Sequence, residues 1–120
     1  MGDLSEHFSS SEFACHCGCG TIKASPSILA LLEEIRSHLG HPLLITSGSR
    51  CRKHNKGVGG SERSAHLTGH AADLSALGGL GRYRILSAAI NAGATRIGVG
   101  KNFIHVDTAS RLPTPRLWTY

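Results

Sequence analysis

Two segments far apart in the chain carry polar side chains that any fold must bring together. They are Ser64-Ala65-His66-Leu67-Thr68-Gly69-His70-Ala71-Ala72-Asp73 and Phe103-Ile104-His105-Val106-Asp107. The second segment predicts a strand with Ile104 and Val106 on one face and Phe103, His105 and Asp107 on the other. His105 and Asp107 can then point into one pocket. His66 and Asp73 are seven residues apart, which is not the three or four that shares a helix face. That spacing suits one residue at the end of a loop and the other on the strand that follows. Gly69 between them lets the chain turn back closely. An imidazole, a carboxylate and a second imidazole form a mixed nitrogen and oxygen set suited to zinc. Three protein ligands leave a fourth position open for water, as in catalytic rather than structural sites. The spacing alone also fits ordinary hydrogen-bonded His and Asp pairs.

The remaining pattern predicts an α+β domain over residues 1–120. Ser9-Ser10-Ser11-Glu12 has the form of a capping box and starts a short helix through Phe13 and Ala14, which the Gly- and Cys-rich stretch from Cys15 to Gly20 breaks. Ser25 then Pro26 is a cap followed by a favoured first helical residue. Ile28, Leu32, Ile35 and Leu39 recur at helical spacing, so a helix is expected over 26–39, ended by Gly40. Leu43 to Thr46 reads as a short buried strand. Residues 47–71 read as a long loop, a length that usually marks function or disorder. Strands are expected at Ala72–Ser75, Thr95–Val99 and Phe103–Thr108, the last two paired around Gly100-Lys101-Asn102, with a second helix over Arg82–Asn91. The expected architecture is a small, mostly antiparallel sheet with helices packed on one side.

Composition narrows the partners. Thirteen basic residues against eight acidic ones give a net charge of +5, a balance that suits nucleic acid, anionic lipid or an anionic cell-wall polymer. The basic residues are scattered, with mild clusters at Arg50, Arg52, Lys53 and Lys56 and at Arg111 and Arg116. With three Phe, two Tyr and one Trp, a base-stacking platform is not expected, and neither is nucleic-acid binding. No apolar run approaches the roughly 20 residues that span a bilayer, so no transmembrane segment is expected. The polar start, Met1-Gly2-Asp3-Leu4-Ser5-Glu6-His7-Phe8, is not a secretory signal, and Gly2 has little support as a myristoylation site. A monomer made in the cytoplasm is expected.

Four motifs in order resemble the zinc D-Ala-D-Ala carboxypeptidase family, whose superfamily includes phage L-alanyl-D-glutamate endopeptidases and the hedgehog signalling domain. They are Thr46-Ser47-Gly48-Ser49-Arg50, Asn55-Lys56-Gly57-Val58-Gly59-Gly60, Ser64 to Asp73, and Phe103 to Asp107. The resemblance extends from Leu4-Ser5-Glu6-His7-Phe8 to Trp118-Thr119-Tyr120. It implies a hedgehog-like peptidase fold and one catalytic zinc ion held by His66, Asp73 and His105. It also implies that Arg50 holds the substrate beside the scissile bond, where a permanently charged guanidinium suits a carbonyl oxygen gaining negative charge. Ser64 would hydrogen-bond the substrate backbone. The implied substrate is the stem peptide of peptidoglycan.

The general base departs from the family pattern. Relatives place a carboxylate three or six residues before the last ligand, where this chain has Asn102 and Val99. Asp107 is the nearest carboxylate on the expected face and is assigned the base role; the alternative is that it orients a metal-bound His. His70 and His54 are further candidates. Trp118 and Tyr120 either wall the groove or pack against the core.

Cys15, Cys17, Cys19 and Cys51 lack the Cys-x-x-Cys spacing of zinc fingers. If the first three lie on an extended segment, their thiols share one side. Free thiols, a disulfide to Cys51 and a second, structural metal all remain open.

The leading reading is thus a small zinc peptidase of the cell wall. Single-domain size and basic charge resemble a phage lysin delivered by a holin or from the virion. The alternative is a catalytically weak cell-wall or virion binding module on the same fold. A nucleic-acid binder would leave the ligand set unexplained. Carboxypeptidase and endopeptidase are not separated at this level.

Overall fold

Ser25 and Gly40 bound the longest regular element as their residue types require. In the computed structural model, which describes residues 2–120, helix α1 spans Pro26–Leu39. Met1, the first residue of the polar start, lies outside the described residues. Ser25 Oγ accepts a hydrogen bond from Ile28 N at 3.1 Å. Gly40 closes the helix with φ 81°, a conformation that L side chains disfavour. A 3-10 turn at Ser10–Phe13 precedes α1, and Glu12 Oε1 accepts from Ser9 N at 3.2 Å.

The remaining elements are β1 (Ile45–Ser47), α2 (Arg52–Gly57), a 3-10 turn at Ala65–Thr68, β2 (Ala71–Ser75), α3 (Gly78–Asn91), β3 (Arg96–Val99), β4 (Phe103–Asp107) and β5 (Arg116–Thr119). The five strands form one sheet in the order β1-β2-β4-β3-β5. All neighbours pair antiparallel except β3 and β5, which run parallel. No described helix is long and apolar enough to cross a membrane.

Alternation along β2 and β4 divides the sheet into two chemically different faces. Ala72 and Leu74 of β2 and Ile104 and Val106 of β4 are fully buried. They share one core with Ile28, Leu32 and Ile35 of α1, Ile85, Ala88 and Ala89 of α3, and Phe8 and Phe13 from the N-terminal segment. The intervening residues, Asp73 and His105, project from the opposite face. The helices therefore build the floor on which the polar face is displayed.

Four elements differ from expectation. Strand β1 covers Ile45–Ser47 rather than Leu43–Thr46, and Leu44 is exposed. The segment 47–71 is not a continuous loop. It contains α2, a six-residue helix with no apolar periodicity, whose one buried residue is Asn55. Its start is secured by Cys51 Sγ, which accepts from His54 N at 3.4 Å. Helix α3 begins at Gly78 rather than Arg82, through a Gly-Gly start that lacks a side-chain cap. Strand β5 was not anticipated, because its parallel pairing with β3 is non-local and three of its four residues are exposed.

Leu32 is fully buried in the shared core. Leu32→Ala is expected to destabilise the fold by about 2–5 kcal/mol through lost burial and the cavity left behind. Urea denaturation followed by circular dichroism measures the change.

Candidate metal centre

The register of two strands creates the centre. Asp73 of β2 lies directly opposite His105 of β4, and side chains so paired on one face stand about 4.5–5.5 Å apart at Cβ. His66 arrives from the 3-10 turn Ala65–Thr68. Ser64 caps that turn, with its Oγ accepting from His66 N at 3.2 Å. Gly69 ends it at φ 74°, and a Cβ there would stand 2.7 Å from the Lys23 carbonyl carbon. Only glycine both adopts that conformation and fits that space.

Each imidazole has its tautomer set by a partner behind the ring. His66 Nδ1 donates to the Gly48 carbonyl at 2.6 Å, which leaves Nε2 with its lone pair. His105 Nε2 pairs with Asp107 Oδ2 at 2.8 Å, which turns Nδ1 toward the centre. Asp73 Oδ2 accepts from Arg50 Nη2 at 3.4 Å, and Oδ1 faces both rings. His66 Nε2, His105 Nδ1 and Asp73 Oδ1 are thus 3.2, 3.3 and 3.0 Å apart. A tetrahedral site with metal–ligand bonds of about 2.0–2.1 Å has edges of about 3.3–3.4 Å. Two lone pairs and a carboxylate oxygen converge at that separation, and a cation among them satisfies all three. The donor set fits zinc.

The three groups also act on one another's protonation. Burial works to raise the Asp73 pKa, but hydrogen bonds with His105 and His66 outweigh it and hold the carboxyl well below the usual carboxylate range. Burial opposes protonation of His105, yet Asp107 and Asp73 together raise its pKa above the ordinary imidazole value of 6.5. Burial likewise pushes the Asp107 carboxyl up, and His105, the Ala109 N–H and Arg96 bring it below its usual value.

The centre forms part of the lining of an open cleft of about 710 Å³, which Arg50, Ser64, Trp118 and Tyr120 also line. Arg50 is braced by Ser47 Oγ at 3.4 Å from Nε and by Asn55 Oδ1 at 3.3 Å from Nη1. Of the two open possibilities for the aromatic pair, the structure shows the groove wall. The Trp118 ring lies 5.4 Å from the His105 ring, and Tyr120 packs on Phe103 at 5.0 Å. Gly98, opposite His105 across the β3–β4 pair, makes room for them: a Cβ there would sit 2.5 Å from Trp118 Nε1.

Asp107 lies on the expected strand face, but its oxygens are engaged. Oδ2 meets His105, while Oδ1 accepts from Arg96 Nε at 2.8 Å and from Ala109 N at 3.2 Å. It stands behind the His105 ring rather than beside the open position. His70 pairs with Thr68, His54 sits in α2 against His16, and neither lines the cleft. Asn102 lies in the turn between β3 and β4 and is not among the residues that line the cleft, although its neighbour Phe103 is. Two participants escaped the sequence reading. The Gly48 carbonyl carries no side-chain signal, and Arg96 is identified only by the register that sets β3 beside β4.

Because protons compete with a metal for His105 and Asp73, metal affinity falls as pH falls. With the His105 pKa raised, the decline is expected to begin above 6.5. Titration against a chromophoric chelator measures it. An affinity unchanged between about pH 8 and about pH 5.5 would remove His105 from the ligand set.

The zinc D-Ala-D-Ala carboxypeptidase of Streptomyces albus G is 40% identical over 67 residues, which cover 55% of this chain and 26% of that protein. The chain thus spans about a quarter of the length of the curated relative it matches. The family model described as Peptidase M15 matches residues 6–107, a stretch that contains Arg50, Ser64 and all three converging donors. A match over most of the chain, with the donor set inside it, shows that the chain belongs to the peptidase M15 family.

Proposed function

We propose that this chain is a zinc-dependent peptidase that hydrolyses a peptide bond in the D-amino-acid-containing stem or cross-link of peptidoglycan. The observation that carries this reading is the convergence of His66 Nε2, His105 Nδ1 and Asp73 Oδ1 beside an open cleft. The substrate class rests on the relative that is named a zinc D-Ala-D-Ala carboxypeptidase.

His66, Asp73 and His105 would hold the zinc ion, which when bound would supply Lewis-acid polarisation of the scissile carbonyl and activation of water. The protein's own groups do the rest. Arg50, held beside Asp73, offers N–H donors to the carbonyl oxygen as negative charge gathers there. Ser64 Oγ accepts from its own turn and keeps its proton available for the peptide backbone. Trp118 and Tyr120 flank the bound chain. Arg50, Arg63 and Arg96 make the cleft cationic, which suits stem peptides bearing free carboxylates. Asp107 acts through His105, fixing its ring and tautomer, and so is a positioning residue rather than the base assigned from its strand face.

One observation favours a second reading. Asp73 and Asp107 are the only carboxylates among the described residues that line the cleft, and the oxygens of both are engaged. On that reading the fold grips cell-wall peptide with little turnover.

Mass spectrometry of purified peptidoglycan after incubation with the zinc-loaded protein separates the two. New chelator-sensitive amino and carboxyl ends support the peptidase; loss of one terminal D-Ala identifies a carboxypeptidase, and larger fragments an endopeptidase. Intact muropeptides that still bind the protein support the second reading. Arg50→Ala is expected to keep the metal while lowering kcat by about 10²–10³-fold, as when an oxyanion donor is lost. Asp107→Asn is expected to weaken metal affinity by about 10–100-fold, read by chelator competition; full affinity would deny it a positioning role.

A further inference from the structure

The segment that carries three cysteines is not extended. Ala14 and Ile22 bridge as an antiparallel pair, Cys15 N donates to Thr21 O at 2.8 Å, and Gly18 N donates to Cys15 O at 3.3 Å. Gly18 and Gly20, at φ 78° and 82°, curl the chain between them, and a Cβ on either would meet nothing within 4 Å. Glycine serves backbone conformation here rather than close packing. The curl gathers Cys15, Cys17 and Cys19, and the start of α2 brings Cys51 to the same place.

The four sulfurs all lie within 4.8 Å of one another, and all four thiols are free. Cys15–Cys17, Cys17–Cys51 and Cys15–Cys51 are 3.5, 3.5 and 3.8 Å apart. A tetrahedral ion with metal–sulfur bonds of about 2.3 Å requires edges of about 3.8 Å. A single disulfide would join two of these sulfurs and leave the other two crowded beside it. Backbone donors are already aimed at the cluster: Cys51 N at Cys15 Sγ and His54 N at Cys51 Sγ, both at 3.4 Å. Such N–H groups stabilise thiolate charge. Arg52 and Lys53 follow Cys51 directly and offset the dianionic charge that four thiolates give a divalent ion.

We propose that Cys15, Cys17, Cys19 and Cys51 form a second, structural zinc site, separate from the cleft, that clamps the N-terminal hairpin to the arm bearing Arg50. Each cysteine enters as a thiolate and releases its proton to solvent, so uptake is pH-dependent. Neither Cys-x-Cys step nor the distant fourth ligand follows the usual finger spacing; the fold supplies the proximity. Arg50 is the residue before Cys51, and Ser49 N and Oγ both donate to Phe13 O. The ion therefore secures the backbone from which the cleft arginine projects.

The test is metal content of the purified full chain under reducing, zinc-replete conditions, measured by elemental mass spectrometry. Wild type is expected to hold two zinc ions, and His66→Ala/Asp73→Asn to keep one. Cys17→Ser/Cys19→Ser, altering two exposed side chains outside the core, is expected to hold one fewer than wild type. Cobalt substitution of His66→Ala/Asp73→Asn should give intense sulfur-to-cobalt charge-transfer absorption, absent from the serine variant. Native thiols should react with a disulfide reagent only after chelation. Wild type with one zinc that survives His66→Ala/Asp73→Asn would support this site while removing the cleft metal. Loss of all metal in that variant, freely reacting thiols in zinc-replete wild type, or a mass two hydrogens short would overturn the proposal. Iron in place of zinc would overturn the identity of the ion.

Discussion

The pairing of β2 with β4 is the constraint from which the rest of the centre follows. Asp73 faces His105 because the two strands meet in that register. A slip of one residue would send Ala72 and Leu74 to the cleft and the carboxylate into the core. Burial enforces the register: Leu74, Ile104 and Val106 lose all contact with water only when Asp73 and His105 point away from the helices. Hydrophobic packing on one face thereby sets polar geometry on the other, with no dedicated interaction between the two.

Around that pair, the remaining parts are held by backbone. His66 is aimed by the Gly48 carbonyl, and Arg50 N donates to His66 O at 3.0 Å, so the arm carrying the arginine and the turn carrying His66 brace each other. The same arm is fastened at its other side by Ser49, whose hydroxyl also accepts from Lys23 N at 3.1 Å. Little of this region is apolar. Its order comes from satisfied backbone groups, which explains how a segment rich in Ser, Gly and charge presents side chains with fixed geometry.

Those two modes of support decide what was legible in the sequence. Helix α1 was readable to its ends because Ser25-Pro26 and Gly40 are local signals, and β4 because its alternation is complete within five residues. The three converging donors were readable from the His66, Asp73 and His105 motifs. Helix α2 was not, since its stability lies in a cysteine cap and one buried asparagine rather than in an apolar stripe. Strand β5 exists through its pairing with β3, and no residue within it announces that partner. The place of Asp107 turned on a finer point. Alternation put it on the same face as His105, but only coordinates distinguish standing beside the ring from standing behind it.

Arg96 joins features that are otherwise treated separately. Its Nε holds Asp107, its Nη1 donates to Pro113 O at 2.6 Å, and its guanidinium lies 5.0 Å over the Trp118 ring. One cation thus serves both the aromatic wall of the cleft and the carboxylate that aligns His105. Removal of this one side chain would therefore unfasten the groove wall and the carboxylate behind His105 together.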